Sequence, residues 1–243
     1  MHYAIISDVH ANLEALEVVL GDIDRRRPNA LICLGDFVGY GPDPVGCVER
    51  LRPGLAGAVV GNHDRAAAGT LDITDFNPLA QAAILWTREQ LTAPVRAYLR
   101  DLPSQITPGG FLAVHGSVRD PVEEYIIDPH TARASFAAGS FRLCMAGHTH
   151  VPAIFTLDGD AVSVAPFEAG EPLRLEPERR YIVNVGSVGQ PRDGDPRAAY
   201  AWFDEDQHVI TLIRLLYPVE RTQRKMAEAG LPPMLAERLA HGR

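Results

Sequence analysis

Short apolar runs, each closed by a polar loop, mark the first 150 positions of this chain: Tyr3–Ile6, Ala30–Leu34, Gly57–Val60, Phe111–Val114 and Leu143–Ala146. Continuous apolar runs of this length read as strands buried on both faces. After the first run, Leu13, Leu16, Val19, Leu20 and Ile23 recur at helical spacing, and Pro44–Leu51 reads as a short helix after the second. Strand and helix in turn predict right-handed crossovers and a largely parallel sheet. Asp75–Arg100 reads as helical, with Leu79, Ala82, Ala83, Leu85 and Trp86 on its apolar face and Pro94 opening a second piece. The connection to it from Asp64 is expected to cover the strand ends.

Beyond His150 the texture changes. Pro152–Leu157, Ala161–Val164, Leu173–Leu175, Tyr181–Val185, Tyr200–Phe203 and Val209–Leu215 are short strand-like runs, and Asp158-Gly159 is a good hairpin turn. A second, more antiparallel sheet is expected to pack on the first. The tail Pro218–Arg243 reads as two helical pieces around Gly230-Leu231-Pro232. Leu231, Leu235 and Leu239 share one face of the last piece, and an ordinary packed cap is preferred to a dimerisation helix.

The chain has 243 residues, of which 46% are hydrophobic, enough for a substantial core. We read residues 1–243 as one domain, because polar residues from Asp8 to His150 must converge for the chemistry below. The apolar start is stopped by Asp8, short of the roughly 7–15 residues of a signal-peptide core. No apolar run approaches the ~18 residues of a membrane span, so a cytoplasmic protein with no membrane partner is expected. Cys33, Cys47 and Cys144 form no C-x-x-C pair, and no disulfide is expected. A formal net charge of −8 argues against nucleic acid as a partner. It leaves room for a small phosphorylated substrate, since bound cations can dominate a local field.

The candidate chemistry lies at the strand ends. Asp8, His10, Asp36, Asn62, His115, His148 and His150 each fall just past an apolar run, and with His63 these positions hold five of the nine histidines. Singly, each has a bland reading: Asp8 as a turn or cap residue, Gly35-Asp36 as a turn, Gly61-Asn62-His63-Asp64 as a loop, His148 and His150 as exposed loop histidines. Taken together and in this order, they resemble the calcineurin-like metallophosphoesterase family, and within it a bacterial phosphodiesterase-like branch. The blocks are Asp8-Val9-His10, Gly35-Asp36, Gly61-Asn62-His63-Asp64, the lone His115, and Gly147-His148-Thr149-His150.

That resemblance implies an α/β fold of two β-sheets sandwiched between helices, in four layers, with two divalent metal ions at the strand ends. By the same likeness one ion takes Asp8, His10, Asp36 and His150, and the other takes Asp36, Asn62, His115 and His148, with Asp36 shared. Imidazole and oxygen donors without thiolate suit Mn, Fe or Zn and do not choose among them. Two ions about 3.5–4 Å apart can stabilise both the attacking and leaving oxygens and acidify the attacking water. His63 is then the candidate general acid for the leaving oxygen, or alternatively a hydrogen-bond partner of a ligand.

Other residues are softer candidates. Asn12 at the start of the first helix, Tyr40, and Arg65 beside His63 are candidate substrate contacts; Arg119 and Arg192 lie in loops that could reach the mouth. Asn12 reads as readily as a solvent-facing helix residue, Tyr40 also as part of a Tyr40-Gly41-Pro42 turn, and the arginines more simply as surface charges. Asn184-Val185-Gly186-Ser187 resembles an N-P-G-S turn with Val185 in place of Pro, suited to contacting a ligand.

The protein-phosphatase branch of the family continues its second block as G-D-x-V-D-R-G. Here it reads Gly35-Asp36-Phe37-Val38-Gly39-Tyr40-Gly41, without the Asp that orients the acid histidine or the Arg that clamps phosphate. The sequence names no other partner to orient His63. A missing clamp suits the single charge of a diester, so a phosphodiesterase on a small or nucleotide-like diester is the leading expectation. A phosphomonoesterase is the runner-up, and a non-catalytic scaffold of the same fold is the reading from another class. A homo-oligomer is left open.

Overall fold

Successive side chains of the first strand, β1 (His2–Ile6), enter two different cores. Tyr3 and Ile5 point one way, into an apolar layer with Ile32, Leu34, Phe111, Met145 and Val183. Ala4 and Ile6 point the other way, toward Leu16, Val19, Leu20 and Ile23 of the helix α1 (Leu13–Arg26). The two-residue period of a strand thus needs apolar residues at every position, which is why the run shows no alternation.

The computed structural model describes residues 1–243. After α1 come β2 (Ala30–Cys33), α2 (Pro44–Leu51), β3 (Gly57–Ala58), α3 (Asn62–Ala68), α4 (Pro78–Gln90), α5 (Ala93–Asp101), β4 (Gln105–Ile106) and β5 (Leu112–Val114). Then follow α6 (Pro129–Ala137), β6 (Leu143–Ala146), β7 (Ala153–Asp158), β8 (Ala161–Pro166), β9 (Leu173–Arg174), β10 (Arg180–Asn184), β11 (Ala198–Asp204) and β12 (Val209–Leu215). The helices α7 (Val219–Glu228) and α8 (Pro233–Glu237) close the chain. One six-stranded sheet runs β3-β2-β1-β11-β12-β9 and the other β4-β5-β6-β10-β7-β8. Helices α1 and α2 cover the first sheet and α6 the second, which gives the four-layer α/β sandwich.

The two sheets do not divide the chain into halves as the change of texture at His150 suggested. β1, β2 and β3 pair in parallel, but their sheet is completed by the antiparallel β11, β12 and β9. β5 and β6 instead join β10 in parallel in the other sheet, which β7 and β8 extend antiparallel. Both sheets are mixed. The arrangement sets the ends of β1, β2 and β3 beside those of β5 and β6.

The expected long helix is broken before Pro94 into α4 and α5, as that proline requires. Two short helices escaped the periodicity argument. α3 begins inside the Gly61–Asp64 segment read as a loop, and α6 carries a start signal in Asp128-Pro129, where the Asp128 carboxylate accepts from Thr131 N at 2.8 Å. The tail is a packed cap: Leu231, Leu235 and Leu239 bury against Tyr40 and the α4 residues Ala80 and Ala83. The three cysteines are buried and free. No helix is long and apolar enough to cross a membrane.

Candidate metal centre

The chain turns sharply just past β1, β2 and β6. Asp8, His10, Asp36, His148 and His150 are five of the nine non-glycine residues with positive φ, between +49° and +67°. Asp and His enter this left-handed region more readily than most residues, but it still carries strain of roughly 1–3 kcal/mol each. Cross-links hold it. Asp8 N donates to Gly35 O at 3.1 Å, His10 N to Asp36 O at 2.9 Å, and Gly147 N to His115 O at 2.9 Å. His148 N donates to Asp8 Oδ2 at 3.1 Å and His63 N to Asp36 Oδ1 at 2.9 Å. Gly61 has no side chain because a Cβ there would collide with the Asp36 carboxylate.

The result is two buried sets of donors, Asp8, His10, Asp36 and His150 in one and Asp36, His115 and His148 in the other, with ligand atoms within 4.8 Å of one another in each. Asn62 Oδ1 joins the second set, 3.2 Å from His115 Nε2. Asp36 belongs to both: its Oδ2 stands 3.5 Å from His10 Nε2 and 3.5 Å from His115 Nε2.

Tautomers make these sets informative. His10 Nδ1 lies 3.1 Å from Val38 O, His150 Nδ1 2.6 Å from Gln190 O, His115 Nδ1 2.8 Å from Leu34 O, and His148 Nε2 3.1 Å from Glu123 O. A main-chain carbonyl only accepts, so each of those nitrogens carries the proton and the other ring nitrogen presents a lone pair inward. The inward contacts are then lone pair against lone pair: His10 Nε2 to His150 Nε2 at 3.0 Å, His115 Nε2 to His148 Nδ1 at 3.1 Å, His150 Nε2 to Asp8 Oδ1 at 3.2 Å. Asp8 Oδ1 is buried and finds no hydrogen-bond donor. Acceptors gathered this closely repel one another unless a cation lies among them, and a ligand histidine bonded to a carbonyl by its far nitrogen is the usual metal arrangement. The residues fit divalent metal ions.

Protonation follows the same logic. Burial holds His10 and His148 well below the ordinary histidine value and brings His150 down to about 4. The imidazoles are therefore neutral and able to ligate near pH 7. Burial, then the Asp8 charge, raises Asp36 well above the carboxylate range. Burial also opposes ionisation of Asp8, and its pKa is lowered only by positive charge on the neighbouring His150, His115 and His10 rings, the charge that a bound cation would supply when those rings are neutral. Asp64, raised to about 8 by burial and by Asp36, accepts from Gly61 N at 3.1 Å and Val38 N at 3.3 Å and so ties the Asp36 loop to the start of α3.

His63 stands beside the donor sets and belongs to neither. Its ring packs on Tyr40 at 4.4 Å, on His10 at 4.9 Å and on Phe76 at 5.4 Å between centroids. No hydrogen-bond partner reaches its buried Nδ1, so packing, in place of a carboxylate, orients it. Burial first and the Arg192 charge second hold it well below its ordinary value. With Asn62, Tyr40, Phe76 and His148 it lines a cleft of about 390 Å³. The connection after Asp64 contributes Asp75, Phe76 and Asn77 to this wall, as expected.

Tyr40 is thus at the site, whereas the other two substrate candidates are not. The Asn12 side chain caps α1 by accepting from Ala15 N, donates to Gly189 O and Tyr217 Oη, and accepts from Thr222 Oγ1. It is buried and fully engaged, a latch for the tail that leaves nothing for a phosphate. Arg65 is half-buried on α3 and does not line the cleft. Arg119 pairs with Glu124.

Arg192 is the residue that sequence reasoning undervalued. Its guanidinium lies over Tyr40, its Nε and Nη2 donate to Gln190 Oε1 at 3.3 and 2.8 Å, and its main-chain N donates to His150 O. No local signal separates it from a surface arginine. The Asn184–Ser187 turn does brace the centre: Asn184 Nδ2 donates to Gly147 O and Thr149 Oγ1, and Ser187 Oγ donates to Asp8 O at 2.8 Å.

The family model of the calcineurin-like phosphoesterase superfamily domain matches residues 1–208. The chain belongs to this family. A metallophosphoesterase from Sphaerobacter thermophilus is 46% identical, with a TM-score of 0.89 over 100% of this chain and 99% of that one. An uncharacterized protein of Methanocaldococcus jannaschii is 36% identical over 245 residues, covering 99% of this chain and 98% of its own. A hypothetical protein of Pyrococcus horikoshii OT3 shares the fold, with 18% identity and a TM-score of 0.80 over 100% of this chain and 98% of that one. This calcineurin-like phosphoesterase thus resembles these relatives along its whole length.

Proposed function

We propose that this chain hydrolyses small phosphodiesters at a centre of two divalent metal ions. The observation that carries the reading is the inward convergence of lone pairs from His10, His150, His115 and His148 on a shared Asp36. Bound there, two cations would supply charge for the phosphate oxygens and acidify the attacking water. Asp8, His10, Asp36 and His150 would hold one ion; Asp36, Asn62, His115 and His148 would hold the other; Mn, Fe and Zn all suit these donors.

The remaining roles belong to neighbouring side chains. His63 is the proton donor to the leaving oxygen. Burial and Arg192 favour its neutral form, and a phosphate anion beside it opposes both effects and raises its proton affinity. Arg192, stacked on Tyr40, supplies the positive charge that the Asp36 loop lacks. That charge removes the missing clamp as an argument for a diester. The diester reading rests instead on space for two substituents, one in the His63 cleft and one beyond Tyr125, which lines both that cleft and a neighbouring groove.

Elemental analysis and a substrate panel on one metal-loaded preparation test this. We expect two ions per chain, faster hydrolysis of bis(4-nitrophenyl) phosphate than of 4-nitrophenyl phosphate, and loss of both ions and activity in Asp36→Asn. Preference for the monoester would favour the second reading, a phosphomonoesterase, to which Arg192 is also suited. Absence of hydrolysis would leave a scaffold.

A further inference from the structure

Four of the eight exposed large hydrophobic residues of the whole chain, Tyr125, Ile127, Val151 and Val164, share one groove. Apolar exposure concentrated in one concave place marks a binding surface more than a scatter of single residues does. The groove has a volume of about 480 Å³, within the range of small-molecule sites, and no charged side chain lines it.

Its position is as telling as its composition. The Tyr125 ring, at the rim, stacks on the His148 ring with centroids 3.7 Å apart and planes inclined at 18°. Thr149, between the candidate ligands His148 and His150, lines the groove as well. On its other side Tyr125 lines the cleft that contains His63. The groove and the cleft thus meet at the metal centre across a single ring.

We propose that this groove is the subsite for the non-leaving group of the ester, and that it selects an uncharged aryl substituent. The inference rests on the phosphodiesterase reading. A proton donor must sit beside the leaving oxygen, so His63 assigns the leaving group to its own cleft. The other substituent of the same phosphorus then extends away from His63, over Tyr125. With no cation to meet it, a second phosphate or carboxylate gains nothing there, whereas a flat apolar ring buries against Val151, Val164 and Ile127. A second copy of the chain, paired through the exposed edge strand β8, is the competing occupant.

Two esters with one leaving group decide the matter: methyl 4-nitrophenyl phosphate and phenyl 4-nitrophenyl phosphate. We expect kcat/KM to favour the phenyl ester by at least about tenfold, or about 1.4 kcal/mol. Ile127→Asp and Val164→Asp, both at exposed positions, should abolish that preference, read as the ratio of the two kcat/KM values within each variant. Equal rates on the two esters, or a preference that survives both substitutions, would overturn the proposal. Calorimetric binding of diphenyl against dimethyl phosphate gives the same comparison without turnover. A protein that cuts neither ester yet binds diphenyl phosphate at least about tenfold better, with that gain lost in Ile127→Asp, would sink the hydrolase and keep the groove; equal binding would sink the groove. Light scattering covers the competitor: a dimer that either substitution splits, with ester preference unchanged, makes the groove an interface.

Discussion

The guanidinium carbon of Arg192 lies 5.5 Å from the centroid of the Tyr40 ring. No carboxylate lies within ion-pair distance of that guanidinium, and Gln190 Oε1, which fixes it, is neutral. An unpaired cation beside a metal centre is stabilised by an anionic ligand. A charge-assisted hydrogen bond to phosphate contributes about 1.5–3 kcal/mol. Arg192→Ala should therefore raise KM about tenfold to a hundredfold, with a smaller change in kcat. Arg192→Lys should fall between, because lysine keeps the charge but loses the planar fork and the stack on Tyr40. Steady-state kinetics at two ionic strengths check this, and an unchanged KM in the Ala variant would remove Arg192 from the anion site.

His63→Gln should lower kcat by about 10²–10⁴ with metal content intact. The loss should be smallest for nitrophenolate, which leaves without a proton, and largest for alkoxide leaving groups. Equal losses across leaving groups would argue for a role in holding a ligand. Gly39→Ala gives an independent check on position. Gly39 has φ of +91°, and a Cβ there would fall against His63 Nδ1. The substitution should push the ring away and reproduce the kinetic defect without touching the imidazole chemistry.

The donors of the centre were legible because each depends on a local pattern, an apolar run that ends in a polar loop. Asp8, Asp36, Asn62, His115 and His148 needed only that the runs be strands whose ends coincide. Which sheet each strand joins was not legible. Leu112–Val114 and Leu143–Ala146 have the same texture as His2–Ile6, and only their pairing toward β10 puts them in the other sheet. Arg192 could be named but not separated from Arg119 for the same reason, since its partner Tyr40 is far away in sequence. The carbonyls of Val38, Leu34, Glu123 and Gln190, which fix the histidine tautomers, belong to the main chain and leave no mark in the side-chain pattern.

Asn12 offers a contrast between a substrate contact and a structural latch. Its side chain joins the start of α1 to Gly189, Tyr217 and Thr222. Asn12→Ala removes a helix cap, at about 0.5–2 kcal/mol, and strands buried partners, at about 1–3 kcal/mol more. The variant should lose about 1.5–5 kcal/mol in chemical unfolding, with KM for a small ester unchanged below the transition. A raised KM at full stability would restore the substrate role.

Metal binding should release protons, and the sign follows from Asp36. Burial and the Asp8 charge raise its pKa, so in the metal-free protein it retains a proton well above the usual carboxylate range. A cation replaces that proton, and affinity therefore rises with pH until Asp36 is ionised without help. The histidines act differently. Burial keeps His10 and His148 well below the ordinary value and His150 at about 4, so they hold no competing proton near neutrality. The value of about 4 belongs to the metal-free His150 ring; a bound ion competes with the proton there, so the ion should be lost only as pH falls below about 4. Calorimetry at pH 7 in two buffers of different protonation enthalpy should report release of at least about one proton on metal loading. Dialysis followed by elemental analysis should find more metal retained above pH 4 than below it. Loading without proton release at pH 7 would mean that Asp36 is already ionised and that the two carboxylates do not share the electrostatic load described here.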